Sequence, residues 1–86
     1  MRALICRAWG SIDGLTVEEI APPVPAADEV LIDVRATSVN YADSIMVAGK
    51  YQTRPPFPFS PGLETAGVVA RGGAGVTRFT PGDRVM

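Results

Sequence analysis

Four of the nine residues from Thr53 to Pro61 are proline, and a second cluster, Pro22-Pro23-Val24-Pro25, lies upstream. A proline ring fixes φ and removes the backbone donor, so neither stretch can run through a helix or lie in the middle of a sheet. The chain is therefore cut into short elements joined by irregular connections. The residue patterns between those breaks decide the fold class.

Met1 to Ala8 reads as a first strand, followed by a turn region at Gly10-Ser11-Ile12-Asp13-Gly14. Leu15 to Ile20 supports a second strand, although its alternation is less clean. The prolines from Pro22 to Pro25 then favour an extended connector. From Glu29 to Val39 the period is two: Val30, Ile32, Val34 and Ala36 share one face, and Leu31, Asp33, Arg35 and Thr37 the other. This pattern predicts a strand with one face on a core and one partly wet. Asn40 breaks the alternation, and asparagine caps a helix by accepting from a backbone N–H two or three residues on. A short helix is expected from Tyr41 to Ala48, pairing Ile45 with Ala48 or Tyr41 with Ile45 on one face and ending at Gly49. Thr53 to Pro61 is a loop, and Leu63 to Ala70 returns to strand. Gly72-Gly73 and Pro81-Gly82-Asp83 are turns by composition. Many short strands, abundant turns and one short helix predict a mostly β, barrel-like domain. Eighty-six residues allow one small domain with a thin margin of buried surface.

Charge and composition remove several function classes. The chain is 47% hydrophobic and 20% charged, with a net charge of −1. Nucleic-acid binding would need a basic face, whereas the seven Arg and one Lys are scattered singly, so no nucleic-acid partner is expected. The single Cys6 cannot form an internal disulfide, and its apolar surroundings, Ala3-Leu4-Ile5, suit a buried structural thiol. The absence of histidine removes Ser-His and Cys-His couples. The N-terminal apolar run is too short for a signal peptide and is interrupted by Arg7. No apolar stretch approaches the roughly 20 residues of a membrane span, so the expected compartment is the cytoplasm, with no membrane partner. Val85-Met86 reads as the opening of a strand, which suggests a piece of a longer chain.

Three stretches carry a family resemblance: Val39 to Gly67 (VNYADSIMVAGKYQTRPPFPFSPGLETAG), Gly73-Ala74-Gly75-Val76, and Pro81-Gly82-Asp83-Arg84-Val85. Together they resemble the N-terminal, GroES-like catalytic domain of medium-chain dehydrogenases/reductases. The branch that looks most similar is the zinc-free quinone oxidoreductases, which use NADPH. The resemblance implies a GroES-like, partly open β-barrel over residues 1–86, truncated before the nucleotide-binding Rossmann domain of the family. It also implies a quinone or an enone/enoyl substrate, and a homodimer when the protein is full length. In the zinc-dependent relatives, the position of Asn40 carries a cysteine ligand and that of Leu63 a histidine ligand. Asparagine and leucine supply neither thiolate nor imidazole, and one Cys without His leaves only carboxylates, so no metal is expected.

Two residues are candidates for the chemistry. The Asn40 amide both donates and accepts, and the resemblance places it beside the nicotinamide ribose or carboxamide as a cofactor-binding group. A helix cap alone is the plainer role, and the two are compatible. Tyr51, just past Gly49, is a second cofactor-binding candidate and the catalytic one: it could bind a substrate carbonyl beside the cofactor and give it a proton as negative charge builds. In the related enoyl-thioester reductases, a tyrosine in this glycine-linked position is implicated as the proton donor. Alternatively, its ring packs on the proline-rich loop. Glu64, in a Gly-x-Glu pattern opening an apolar strand, reads as a buried structural carboxylate needing an arginine. Asp43 suits the helix N-terminus through the dipole. Trp9 and Phe57-Pro58-Phe59 read as core or interface.

Gly72-Gly73-Ala74-Gly75 is no dinucleotide fingerprint, because Val76 to Pro81 does not form the helix that must follow. The expected function is thus that of the N-terminal domain of a zinc-independent, NADPH-dependent oxidoreductase reducing quinones or α,β-unsaturated carbonyls. Enoyl-thioester reduction is the alternative within that class. A non-catalytic GroES-like interaction module, such as a co-chaperonin, is the alternative from another. The helix and prolines occupy the region where a co-chaperonin would need a mobile apolar loop.

Overall fold

The computed structural model describes all 86 residues, Met1–Met86. The chain packs as two compact units, Met1–Ala21 with Val39–Leu63 and Pro22–Ser38 with Glu64–Met86.

The first unit begins with an antiparallel pair, β1 (Arg2–Ile5) and β2 (Thr16–Glu19), in a register running from Arg2 opposite Glu19 to Ile5 opposite Thr16. The connection holds a 3-10 turn over Ile12–Gly14, started by Ser11, whose hydroxyl oxygen accepts from the Asp13 N–H at 3.1 Å. Beyond β1, Cys6 pairs with Phe59 through two backbone bonds: the Cys6 N–H donates to the Phe59 carbonyl at 2.8 Å, and the Phe59 N–H to the Cys6 carbonyl at 3.1 Å. Ile5, Cys6, Met46 and Val47 form the buried apolar centre of this unit.

The helix of this unit, α1, spans Tyr41–Val47. Asn40 is its N-cap, in the extended conformation expected there (φ −123°, ψ 162°), and it forms a capping box with Asp43. The Asp43 carboxylate accepts from the Asn40 N–H at 2.8 Å and the Asn40 side chain accepts from the Asp43 N–H, which also donates to the Asn40 backbone carbonyl at 3.0 Å. Asp43, Met46 and Val47 are the buried residues of the helix, whereas Tyr41 is exposed. The inward face is therefore neither the Tyr41–Ile45 nor the Ile45–Ala48 stripe expected from spacing, Ile45 and Ala48 being half-buried. Closing the capping box turns Asp43 inward, and the residues three and four places on follow it.

At the far end, Gly49 takes φ +76°. Its N–H donates to the Met46 carbonyl at 3.0 Å, and that of Lys50 to the Ile45 carbonyl, also at 3.0 Å. This is the Schellman arrangement that glycine makes accessible. A further helix carbonyl, that of Val47, accepts from the Gly10 N–H at 3.0 Å.

The second unit is an antiparallel sheet in the order β3-β4-β5, with β3 at Val30–Thr37, β4 at Thr65–Gly72 and β5 at Arg84–Val85. Its alternation is interrupted twice, between Leu31 and Ile32 and between Val34 and Ala36. The second shift leaves Arg35 as an extra residue opposite the Gly67–Ala66 step. The predicted core face of β3 is therefore only partly realised: Val30 and Ile32 are half-buried, but Val34 and Ala36 are exposed. The bulge at Arg35 breaks the period of two beyond Val34, so alternation in sequence does not carry through to Ala36.

Val69 is the buried apolar residue of β4. Its N–H donates to the Asp83 carbonyl at 2.9 Å, and its carbonyl accepts from the Gly82 N–H at 2.8 Å. β4 runs through Gly72, so the following turn starts at Gly73 rather than at Gly72. The Val76 N–H closes that turn on the Gly73 carbonyl at 3.1 Å. The Gly73 and Gly75 N–H groups donate at 2.8 Å to the carbonyls of Glu29 and Ala27. A side chain at Gly73 would collide with the Ala26 carbonyl. The glycine run thus lets two backbones touch, and β5, not a helix, is the next element.

Candidate active-site elements

Asn40 and Tyr51 lie in the same unit, at opposite ends of α1. Asn40 is exposed at the helix start, with its backbone direction fixed by the capping box. Asp43 is the one charged residue held inside, 8% exposed. Its place in the first turn suggested only a dipole role for Asp43, but its spacing of three from a capping asparagine carried the signal for a reciprocal box.

Tyr51 is half-buried just beyond the Schellman turn. It opens the irregular segment in which Phe57-Pro58 is a cis peptide. Three aromatic rings gather on this segment. Trp9 and Phe57 have centroids 4.5 Å apart with planes at 59°, and Trp9 and Phe59 are 5.9 Å apart at 50°. Phe57 and Phe59 stack at 5.9 Å and 26°. The Arg54 guanidinium lies 5.1 Å from the Trp9 ring centroid, within cation–π range. Trp9 also covers Gly49, where a Cβ would stand 3.0 Å from Trp9 Cδ2. The cluster read in sequence as core or interface is therefore a half-exposed clasp around the Tyr51 segment. Trp9 was read in sequence alongside the two phenylalanines, but its contacts with Gly49, Arg54 and both rings could not be found from local pattern.

Glu64 departs from the expected arrangement. It is exposed rather than buried, and its carboxylate Oε2 accepts from the Ser38 hydroxyl at 2.5 Å instead of pairing with an arginine. The Thr37 hydroxyl donates to the Glu64 backbone carbonyl at 2.7 Å. Glu64 stands just before β4 begins at Thr65, outside the ladder, so its side chain is not drawn inward with the strand. Leu63, also exposed, has no donor atom to offer a metal, and no three His, Cys, Asp or Glu side chains come together.

Away from these residues, Arg7 and Glu18 form a two-pronged pair: Nε to Oε2 at 2.9 Å and Nη2 to Oε1 at 2.6 Å. The Thr16 hydroxyl adds a bond to Oε2 at 2.7 Å. The Arg7 hydrogen bond, and then that of Thr16, pull the Glu18 carboxyl down to about 2.

A mostly β domain with one short, boxed helix and a proline-rich loop is the architecture of a GroES-like domain. The chain matches the alcohol dehydrogenase GroES-like domain over residues 26–86. It is 44% identical over 72 residues to quinone oxidoreductase-like protein 2 of Rattus norvegicus, which covers 84% of this chain and 21% of that protein. Quinone oxidoreductase of Escherichia coli complexed with NADPH is 30% identical, with a TM-score of 0.81 over 98% of this chain and 26% of that one. The cobalt- and zinc-bound thermostable alcohol dehydrogenase from Pyrobaculum aerophilum is 40% identical, with a TM-score of 0.86 over 98% of this chain and 25% of that one. The chain belongs to the alcohol dehydrogenase GroES-like domain family of the medium-chain dehydrogenases/reductases. It spans 21% and 26% of the length of two quinone oxidoreductase relatives from rat and Lama guanicoe. No helix is long and apolar enough to cross a membrane.

Proposed function

We propose that residues 1–86 are the N-terminal catalytic domain of a zinc-independent, NADPH-dependent oxidoreductase that reduces quinones or α,β-unsaturated carbonyl compounds. What supports this reading above all is the likeness over 98% of the chain to a quinone oxidoreductase solved with NADPH. In the complete enzyme, NADPH supplies the hydride. Asn40, exposed at the start of α1 with a donor and an acceptor on one amide, fits the carboxamide or ribose at the nicotinamide end. Tyr51 holds the substrate carbonyl with its phenol and gives up the Oη proton as the oxygen becomes enolate-like. The cofactor's nucleotide half needs a further domain.

The experiment is NADPH oxidation by the complete enzyme with a quinone and with an enoyl thioester. Turnover of either class is the expected result. No NADPH-dependent turnover with any quinone, enone or enoyl compound would favour the interaction module instead.

A further inference from the structure

The residues following β1 hold both ends of the segment that contains Tyr51. Cys6 exchanges two backbone bonds with Phe59 at its far end, and the Gly10 N–H donates to the Val47 carbonyl at its near end. Between Cys6 and Gly10, the Trp9 ring spans the interval. It lies over Gly49, meets Phe57 and Phe59, and carries the Arg54 guanidinium on its face. One side chain thus touches the segment two residues before Tyr51 and again three, six and eight residues after it. A loop of irregular backbone has no ladder of its own to fix its path, so contacts at both ends and along its length must do so.

We propose that Trp9 is a positioning residue that fixes where the Tyr51 phenol stands. The catalytic consequence rests on the reading of Tyr51 as proton donor. Aromatic pairs at these separations add about 0.5–1.5 kcal/mol each beyond area burial, so losing the indole loosens the loop at several points together. A catalytic group displaced by about 1 Å can lose on the order of 10²-fold in rate. Cofactor binding at Asn40, across the helix, is not addressed by this contact and should be spared.

The test uses the complete enzyme with a fluorinated tyrosine placed at position 51, as wild type, Trp9→Leu and Trp9→Phe. The fluorine resonance is expected to shift and broaden in Trp9→Leu and to be partly restored in Trp9→Phe, with NADPH affinity unchanged. Turnover of an enoyl thioester should fall on the order of 10–10²-fold in Trp9→Leu, and that loss should disappear in a Tyr51→Phe background. An unmoved resonance, or an equal loss in both backgrounds, overturns the proposal, since a merely structural role adds to Tyr51→Phe without coupling to it. If Tyr51→Phe alone leaves enoyl turnover intact, the proton-donor reading has failed. The resonance then decides by itself whether Trp9 places the ring. Should Trp9→Leu not fold, Trp9→Phe carries the comparison: a smaller shift supports the proposal, and an unmoved line overturns it.

Discussion

Asn40 and Gly73 show how differently two positions outside the regular elements are constrained. At Asn40 the constraint is chemical. Aspartate caps a helix about as well as asparagine, so Asn40→Asp should leave the melting temperature nearly unchanged. If the amide also donates to the nicotinamide end, the acid removes the donor and adds charge. NADPH affinity of the complete enzyme should then fall about tenfold for each ~1.4 kcal/mol lost, as titration calorimetry would read. Unchanged affinity would leave Asn40 a cap and nothing more. At Gly73 the constraint is steric. A methyl there meets the Ala26 carbonyl and the Ala27 backbone, whereas Gly14 has nothing within 4 Å. Gly73→Ala should cost at least ~1–3 kcal/mol, as overpacking does. Gly14→Ala should stay within about 0.5 kcal/mol, like other surface changes. Equal melting temperatures for the two variants would contradict the close approach of these backbones.

Between elements, the Arg7–Glu18 pair reaches from just past β1 onto β2. The Glu18 carboxyl is held at about 2 against an ordinary 4.5. The folded form therefore binds this proton less readily than the unfolded chain. Its contribution to stability is complete above about 4.5 and is lost as pH falls toward about 2. Both side chains reach solvent, with Arg7 63% exposed, so salt should shrink the effect. Melting curves between neutral pH and pH 2 should show Glu18→Gln less acid-sensitive than wild type, most clearly at low salt. Parallel pH profiles would remove the pair from any account of stability.

The elements themselves were largely legible in the sequence. Asn40, Gly49 and the prolines marked α1 and its loop, because caps and breakers act within a few residues. The bulge at Arg35, the Ser38 partner of Glu64 and the Trp9 clasp were not legible. Each depends on which distant backbone lies opposite, a property of register and tertiary packing. Asn40 and Tyr51 were singled out by family likeness, whereas Trp9, read in sequence as core or interface, gains its link to the Tyr51 segment only from the folded contacts.

At the scale of the whole molecule, the buried apolar set is small: Ile5, Cys6, Met46 and Val47 in one unit and Val69 in the other. Large apolar side chains stay in water, among them Val17, Val24, Val34, Val39 and Tyr41. A chain of this size buries a limited fraction of its surface even when well packed. β3, at the edge of its sheet, presents one unpaired side over eight residues, which invites association with a second chain. The 86-residue chain alone is therefore expected to unfold broadly at low temperature and to self-associate with concentration. Calorimetry and sedimentation would show it, and a sharp monomeric transition above about 65 °C would contradict it. The same chain should not oxidise NADPH in the presence of a quinone, because on the proposed reading Asn40 and Tyr51 would address only the reacting end of the cofactor. The adenosine and phosphates, where much of the affinity of a dinucleotide resides, would have no Gly-rich strand–turn–helix to receive them. NADPH consumption above a buffer control by the purified 86-residue chain would overturn this division of labour.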